Sequence, residues 1–194
     1  MSTEYDADRI RRGFRAIQFG RMLRLIHRRD NYRELDVDPA SSRFSDPERN
    51  YGVLYAAENI RCSFWETVAR NRFDRRKHRK LPRQDIESRL VVSLCSTEDL
   101  SLVDLRKDGP ARLSAPTAVV HDTNHAAGRT LSAATYANVP EADGFIYPSR
   151  FTGHACVAVF DRAIVKLKVL EVTPLIECAG FFDMLDDYDI KLVD

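Results

Sequence analysis

The chain has 194 residues, 44% of them hydrophobic, with 8 Gly and 8 Pro, which suffices for one good-sized core and one domain. Thirty basic and 29 acidic side chains leave a formal net charge of +1, so the field of the whole molecule favours neither a nucleic acid nor a membrane surface. No apolar run approaches the ~20 residues of a membrane span, and the opening MSTEYDADRIRRG lacks the apolar segment of a signal peptide, so a soluble, cytoplasmic protein is expected.

In chain order, a polar lead-in over residues 1–12 precedes FRAIQ (14–18), which reads as a first strand. RMLRLIHRR (21–29) has the apolar spacing of a short helix. DVDPASSRFSDPERN (36–50), with two prolines among Ser and Asp, is a loop. YGVLYAA (51–57) is a strand, and Asn59 is placed to cap a helix running to about Asn71. RFDRRKHRKLPRQD (72–85) is a basic, proline-terminated connection. RLVVSLC (89–95) and LSLVDL (100–105) are Val- and Leu-rich strands. Residues 115–139 look helical in one or two pieces, weakened by Gly128. GFIYP, ACVAVF and AIVKLKVLEV give three more strands, and GFFDMLDD a short helix before an acidic tail. Strands interrupted by two helical blocks without regular alternation predict an α+β fold, with a mixed or antiparallel sheet and flanking helices.

On the helix after Asn59, Ala57, Ile60, Phe64 and Val68 form an apolar stripe that Trp65, Ala69 and Cys62 extend, and Glu66 borders it. Periodicity leaves two readings open: a surface glutamate at the edge of a core helix, or a carboxylate at the rim of a pocket floored by the preceding strand. The four cysteines, Cys62, Cys95, Cys156 and Cys178, form no C-x-x-C pair and read as reduced, buried thiols. His121, His125 and His154 have no acidic or cysteine ligand spaced with them, so no metal site is expected. RRKHRK (75–80) lacks interleaved aromatics and reads as a solvated loop, not a nucleic-acid contact. No Gly-rich phosphate loop is present, and Ser149 lacks the G-x-S-x-G elbow of a serine hydrolase.

Four segments, in order, resemble the RES family, named for an arginine, a glutamate and a serine. They are FRA with Phe14-Arg15; SSRF with Arg43; LYAAENIRCSFWE with Tyr55 and Glu66; and DGFIYPSRFTGHACVAVF with Ser149. Together they span roughly residues 13 to 162. Ser42 and Phe44 stand where the family pattern has glycine and tryptophan, and no asparagine follows Ser149 as in many members.

The resemblance implies an ADP-ribosyltransferase-like fold and a toxin of a bacterial toxin–antitoxin pair that acts on NAD as substrate, with no resident cofactor. Residues 13–175 would form the catalytic domain, with the 176–194 helix and tail packed on it. Glu66, Arg43 and Ser149 would be catalytic, and Arg15, Arg43, Tyr55 and Ser149 would bind NAD. A carboxylate beside the ribose stabilises the positive charge that develops as the nicotinamide bond breaks, and planar guanidinium forks suit the diphosphate. Water, phosphate and a macromolecule all remain open as the ribosyl acceptor. The resemblance also implies an antitoxin partner with a helix-turn-helix part, and either a homodimer or a hetero-oligomer with that antitoxin. The alternative is a catalytically inert interaction module that uses the same cleft, or the basic loop 70–83, to hold a partner.

Overall fold

The fold is seen in a computed structural model that describes residues 5–28, 33–37, 42–46, 48–70, 72–73 and 76–194. Helix α1 (Ala7–Arg12) is capped by the Asp6 carboxylate and runs into strand β1 (Phe14–Ile17). Strands β2 (Met22–His27) and β3 (Val53–Ala57) follow. The Asn59 side chain then accepts the Cys62 N–H at 2.9 Å and starts α2 (Ile60–Phe64). This helix widens into a π-turn over Trp65–Ala69, closed by the Arg70 N–H donating to the Trp65 carbonyl at 2.7 Å. Next come β4 (Arg79–Pro82), α3 (Arg83–Glu87), β5 (Arg89–Ser96) and β6 (Leu100–Asp104). Helices α4 (Gly109–Arg112), α5 (Ala118–His121) and α6 (Ala126–Asn138) lead to β7 (Gly144–Pro148) and β8 (Ala155–Phe160). A 3-10 turn (Asp161–Lys166), β9 (Leu167–Pro174), α7 (Phe181–Asp187) and β10 (Ile190–Val193) complete the order.

Eight strands form one sheet in the order β1-β6-β7-β8-β3-β2-β5-β9, and β10 pairs with β4 in parallel. Neighbours in the large sheet are antiparallel except β6 and β7, whose crossover is supplied by α4, α5 and α6. The fold class is therefore α+β, one compact domain around a mixed sheet.

The central strands are buried on both faces, and period-two alternation sorts their side chains. Val53, Tyr55 and Ala57 of β3 join Phe145, Tyr147, Cys156, Ala158 and Phe160 beneath α5 and α6, which contribute Val119 and Leu131. Leu54, Ala56, Ile146, Val157 and Val159 face the other way, onto Leu94, Leu102 and Ala163. A third cluster packs Phe64, Val68 and Ala69 against Phe181, Met184, Leu185 and Ile190, so the C-terminal helix buries the apolar side of the α2 segment.

Four local expectations change. Within RMLRLIHRR, Met22–His27 is strand β2, not a helix. It is paired with β5 from Met22↔Leu94 to His27↔Arg89, and it sends Met22 and Ile26 to one cluster and Leu23 and Leu25 to another, so burial on both faces hides the strand period. Within 72–85, Arg79–Pro82 is a strand because the acidic tail returns as β10 beside it. The strand expected from Ala163 begins at Leu167. Residues 7–12 of the lead-in are helical. The expected helix end at Asn71, and Arg75 of the basic run, lie outside the described residues.

Phe145, fully buried on β7, stacks on Phe44 with ring centroids 4.6 Å apart. Phe145→Ala is expected to lower unfolding free energy by ~3–5 kcal/mol, measured by guanidinium denaturation. A loss under about 1 kcal/mol would mean that this stack does not anchor the 42–46 segment.

Candidate active site

The segment 42–46 crosses the end of the sheet and is fastened at every peptide that matters. The Phe44 N–H donates to the Tyr55 hydroxyl at 3.0 Å, and the Phe44 carbonyl accepts the Ser132 hydroxyl at 2.7 Å. Arg129 Nε donates to the Ser42 carbonyl at 3.1 Å. The Asp46 carboxylate accepts the N–H groups of Glu48 and Asn50 at 3.0 and 2.7 Å, turning the chain away. Phe44 also meets Tyr147 edge-on at 5.0 Å.

This bracing aims Arg43 inward. Its side chain is only 8% exposed, yet its guanidinium makes one long hydrogen bond, 3.5 Å to the Val119 carbonyl. Burial pushes its pKa below the ordinary arginine value. Arg150 and Arg70 push the same way, and Tyr147 and Glu66 oppose them. A buried cation with so little local compensation has a field that an anion would complete.

On the facing helix, Ser63, Glu66, Thr67 and Arg70 fall at i, i+3, i+4 and i+7, one polar face that lines the same cleft. Ser149 begins the β7–β8 turn. Its hydroxyl oxygen accepts the N–H groups of Phe151 and Thr152 at 3.2 and 3.3 Å, which directs its single proton to Glu66 Oε1 at 2.6 Å. Among the described residues this is the hydrogen bond that the Glu66 carboxylate makes, and Glu66 lines the cleft.

The cleft holds about 270 Å³ and is walled by Arg24, Arg43, Arg70, Arg150, Tyr55 and Tyr147 around Glu66. Four arginines and one glutamate line it, so its local charge is basic although the chain is nearly neutral. Burial pushes the Tyr55 phenol up to about 12 and the Tyr147 phenol well above its usual value, so both rings are neutral surfaces.

Of the residues expected from sequence, Arg43, Tyr55, Glu66 and Ser149 meet at this one place. Tyr55 lends its ring to the wall, but its hydroxyl is engaged by the arginine segment. Arg15 does not line the cleft: it sits on edge strand β1, two strands beyond β7, donating to its neighbour's carbonyl, Phe14 O, at 2.7 Å. Arg24, Arg70, Arg150 and His125 were missed. The polar spacing from Ser63 to Arg70 was a signal for one of them; the others reach the cleft only through strand order and turn geometry. Cys62 and Cys156 are free thiols 3.4 Å apart beneath it. Among the described residues no group of three His, Cys, Asp or Glu side chains could hold a metal ion, and no helix is long and apolar enough to cross a membrane.

The RES domain family is matched over residues 20–177. A probable toxin, y4kH, of Sinorhizobium fredii is 38% identical over 106 residues, covering 53% of this chain and 84% of the relative. A chain in the crystal structure of the M. tuberculosis MbcT–MbcA toxin–antitoxin complex superposes with a TM-score of 0.67 at 13% identity, covering 87% of this chain and 91% of that one, a likeness of fold.

Gly128 decides how closely α6 approaches the arginine segment: an added Cβ would lie 2.7 Å from the Arg43 carbonyl oxygen and 2.8 Å from its Cγ. Helix propensity alone would make Gly128→Ala stabilising by up to ~1 kcal/mol. The contact reverses the sign, and the expected result is a loss of ~1–3 kcal/mol in denaturant unfolding. A variant more stable than the parent would show that the segment yields freely.

Proposed function

The chain belongs to the RES domain family, and from the geometry of its cleft we propose that it is the toxin of a toxin–antitoxin pair that consumes NAD by breaking the nicotinamide–ribose bond. The observation that carries this reading is the buried, almost uncompensated Arg43 opposite a glutamate whose orientation Ser149 fixes at 2.6 Å. A dinucleotide supplies both complements: a diphosphate for the cation, and a ribose whose anomeric carbon becomes positive when the bond to nicotinamide lengthens. The naming of y4kH as a probable toxin, and the likeness to a chain of a toxin–antitoxin complex, support the biological half.

In this mechanism Arg43 binds phosphate oxygens as a fork. The neutral Tyr55 and Tyr147 rings give the cleft apolar walls suited to the nicotinamide ring. Nicotinamide departs with the bonding electron pair, which neutralises its pyridinium nitrogen. Glu66 stabilises the cation left on the ribose, and because Ser149 already orients it, the carboxylate does not reorganise as charge develops. An acceptor bearing a lone pair then bonds to the anomeric carbon and gives up its proton. Water, phosphate or a macromolecular nucleophile would each balance the step. In the cell a cognate antitoxin carrying a helix-turn-helix part would hold the protein inactive.

Purified protein incubated with NAD should release nicotinamide, and expression without an antitoxin should arrest growth. Glu66→Gln keeps the Ser149 hydrogen bond but removes the charge; the variant should melt near the parent's temperature and lose roughly 10²–10³-fold in rate. Arg43→Lys should stay folded and use NAD about tenfold less efficiently, since a point charge cannot reproduce the fork. Wild-type rates of nicotinamide release in a folded Glu66→Gln protein would refute the role given to this carboxylate.

A further inference from the structure

Five non-glycine residues have positive φ among the described residues. Arg49, Lys107, Ser114 and Asp189 lie between φ 49° and 61°, close to the ordinary left-handed well near +57°. Arg70 does not: its φ of 24° and ψ of −109° fall in a region that glycine tolerates and a side chain resists. It is also the residue that closes the π-turn and the only one of the five that lines the cleft. Strain and a π-turn at the same cleft-facing position are a combination that folds keep where placement of a side chain matters.

Packing gives Arg70 nothing in return. Among the described residues its side chain makes no ion pair and no hydrogen bond, and its charge acts against that of Arg43 across the same cleft. Two guanidinium groups that share one cleft repel each other, and an anion between them would offset that repulsion. Position specifies the anion further. Arg70 follows Glu66 by four residues, at the end of the π-turn, and lines the same cleft. If Glu66 stands beside the anomeric carbon of a ribose, the group one turn on meets what hangs from its 5′ carbon, which in a dinucleotide is the diphosphate.

We infer that Arg70 is a substrate-binding residue that, with Arg43, clamps the diphosphate of the dinucleotide, and that its strained backbone persists because it aims the guanidinium into the cleft. The inference rests on the NAD reading above and deepens it.

Arg70→Gly separates binding from folding, because glycine relieves the backbone while removing the fork. It should melt at or above the parent's temperature, bind ADP roughly tenfold more weakly by titration calorimetry, and show a KM for NAD raised by about the same factor, with a much smaller change in kcat. Arg70→Lys, which keeps the charge and the backbone demand, should fall between parent and glycine variant in ADP affinity with an unchanged melting temperature; it carries the test alone if the glycine variant does not fold. Unchanged ADP affinity and KM in a folded variant, or a lower melting temperature with unchanged binding, would overturn the assignment and leave the NAD reading intact. A wild type that binds ADP through Arg70 yet releases no nicotinamide would overturn the NAD reading and leave the clamp.

Discussion

A guanidinium withdrawn from water with one long hydrogen bond is an unfavourable thing to build, and the surroundings of Arg43 are organised to hold it there. Removing the segment's freedom takes hydrogen bonds to both peptide groups of Phe44, a ring stack on Phe145 at 4.6 Å, and a helix that comes close because residue 128 has no side chain. Each of these draws on a different element, β3, β7 and α6, so the arginine is only as well placed as the sheet and its crossover. The stabilisation that offsets its burial comes from those neighbours, and the unsatisfied field is what an anion would complete.

Glu66 is controlled by a simpler device. A hydroxyl has one proton and two acceptor positions, and the turn after β7 occupies the acceptor side of Ser149 with two N–H groups. The proton then has one direction left, toward Oε1 of Glu66. The serine therefore both caps a turn and orients a carboxylate. The link also ties the helix after Asn59 to the β7–β8 turn.

The departures from the family pattern have local explanations. Phe44, where tryptophan is usual, keeps an aromatic ring against Phe145 and Tyr147. Ser42, where glycine is usual, uses its carbonyl to receive Arg129 and its N–H to meet the Ser45 hydroxyl at 3.3 Å, contacts available to any residue. After Ser149, Arg150 rather than asparagine faces the cleft, which makes the wall more basic. The aromatic and polar contacts of the arginine segment survive these changes; the charge of the wall does not stay the same.

Local patterns in the sequence determined strands β3, β5, β6, β7 and β8, the Asn59 cap, and the polar spacing from Ser63 to Arg70, because alternation, capping chemistry and helical spacing are properties of neighbours along the chain. The gathering of Arg43, Tyr55, Glu66 and Ser149 was read from motif order, since spacing alone left both readings of Glu66 open. Tertiary structure alone decided the rest. It made Met22–His27 a strand, because pairing on two sides and burial on two faces outweigh a helix-like spacing. It paired the tail with Arg79–Pro82 across more than a hundred residues of intervening chain. It also left Arg15 outside and brought Arg24 and Arg150 in, because which cations share a cleft depends on strand order and turn geometry, and neither leaves a periodic trace in the sequence.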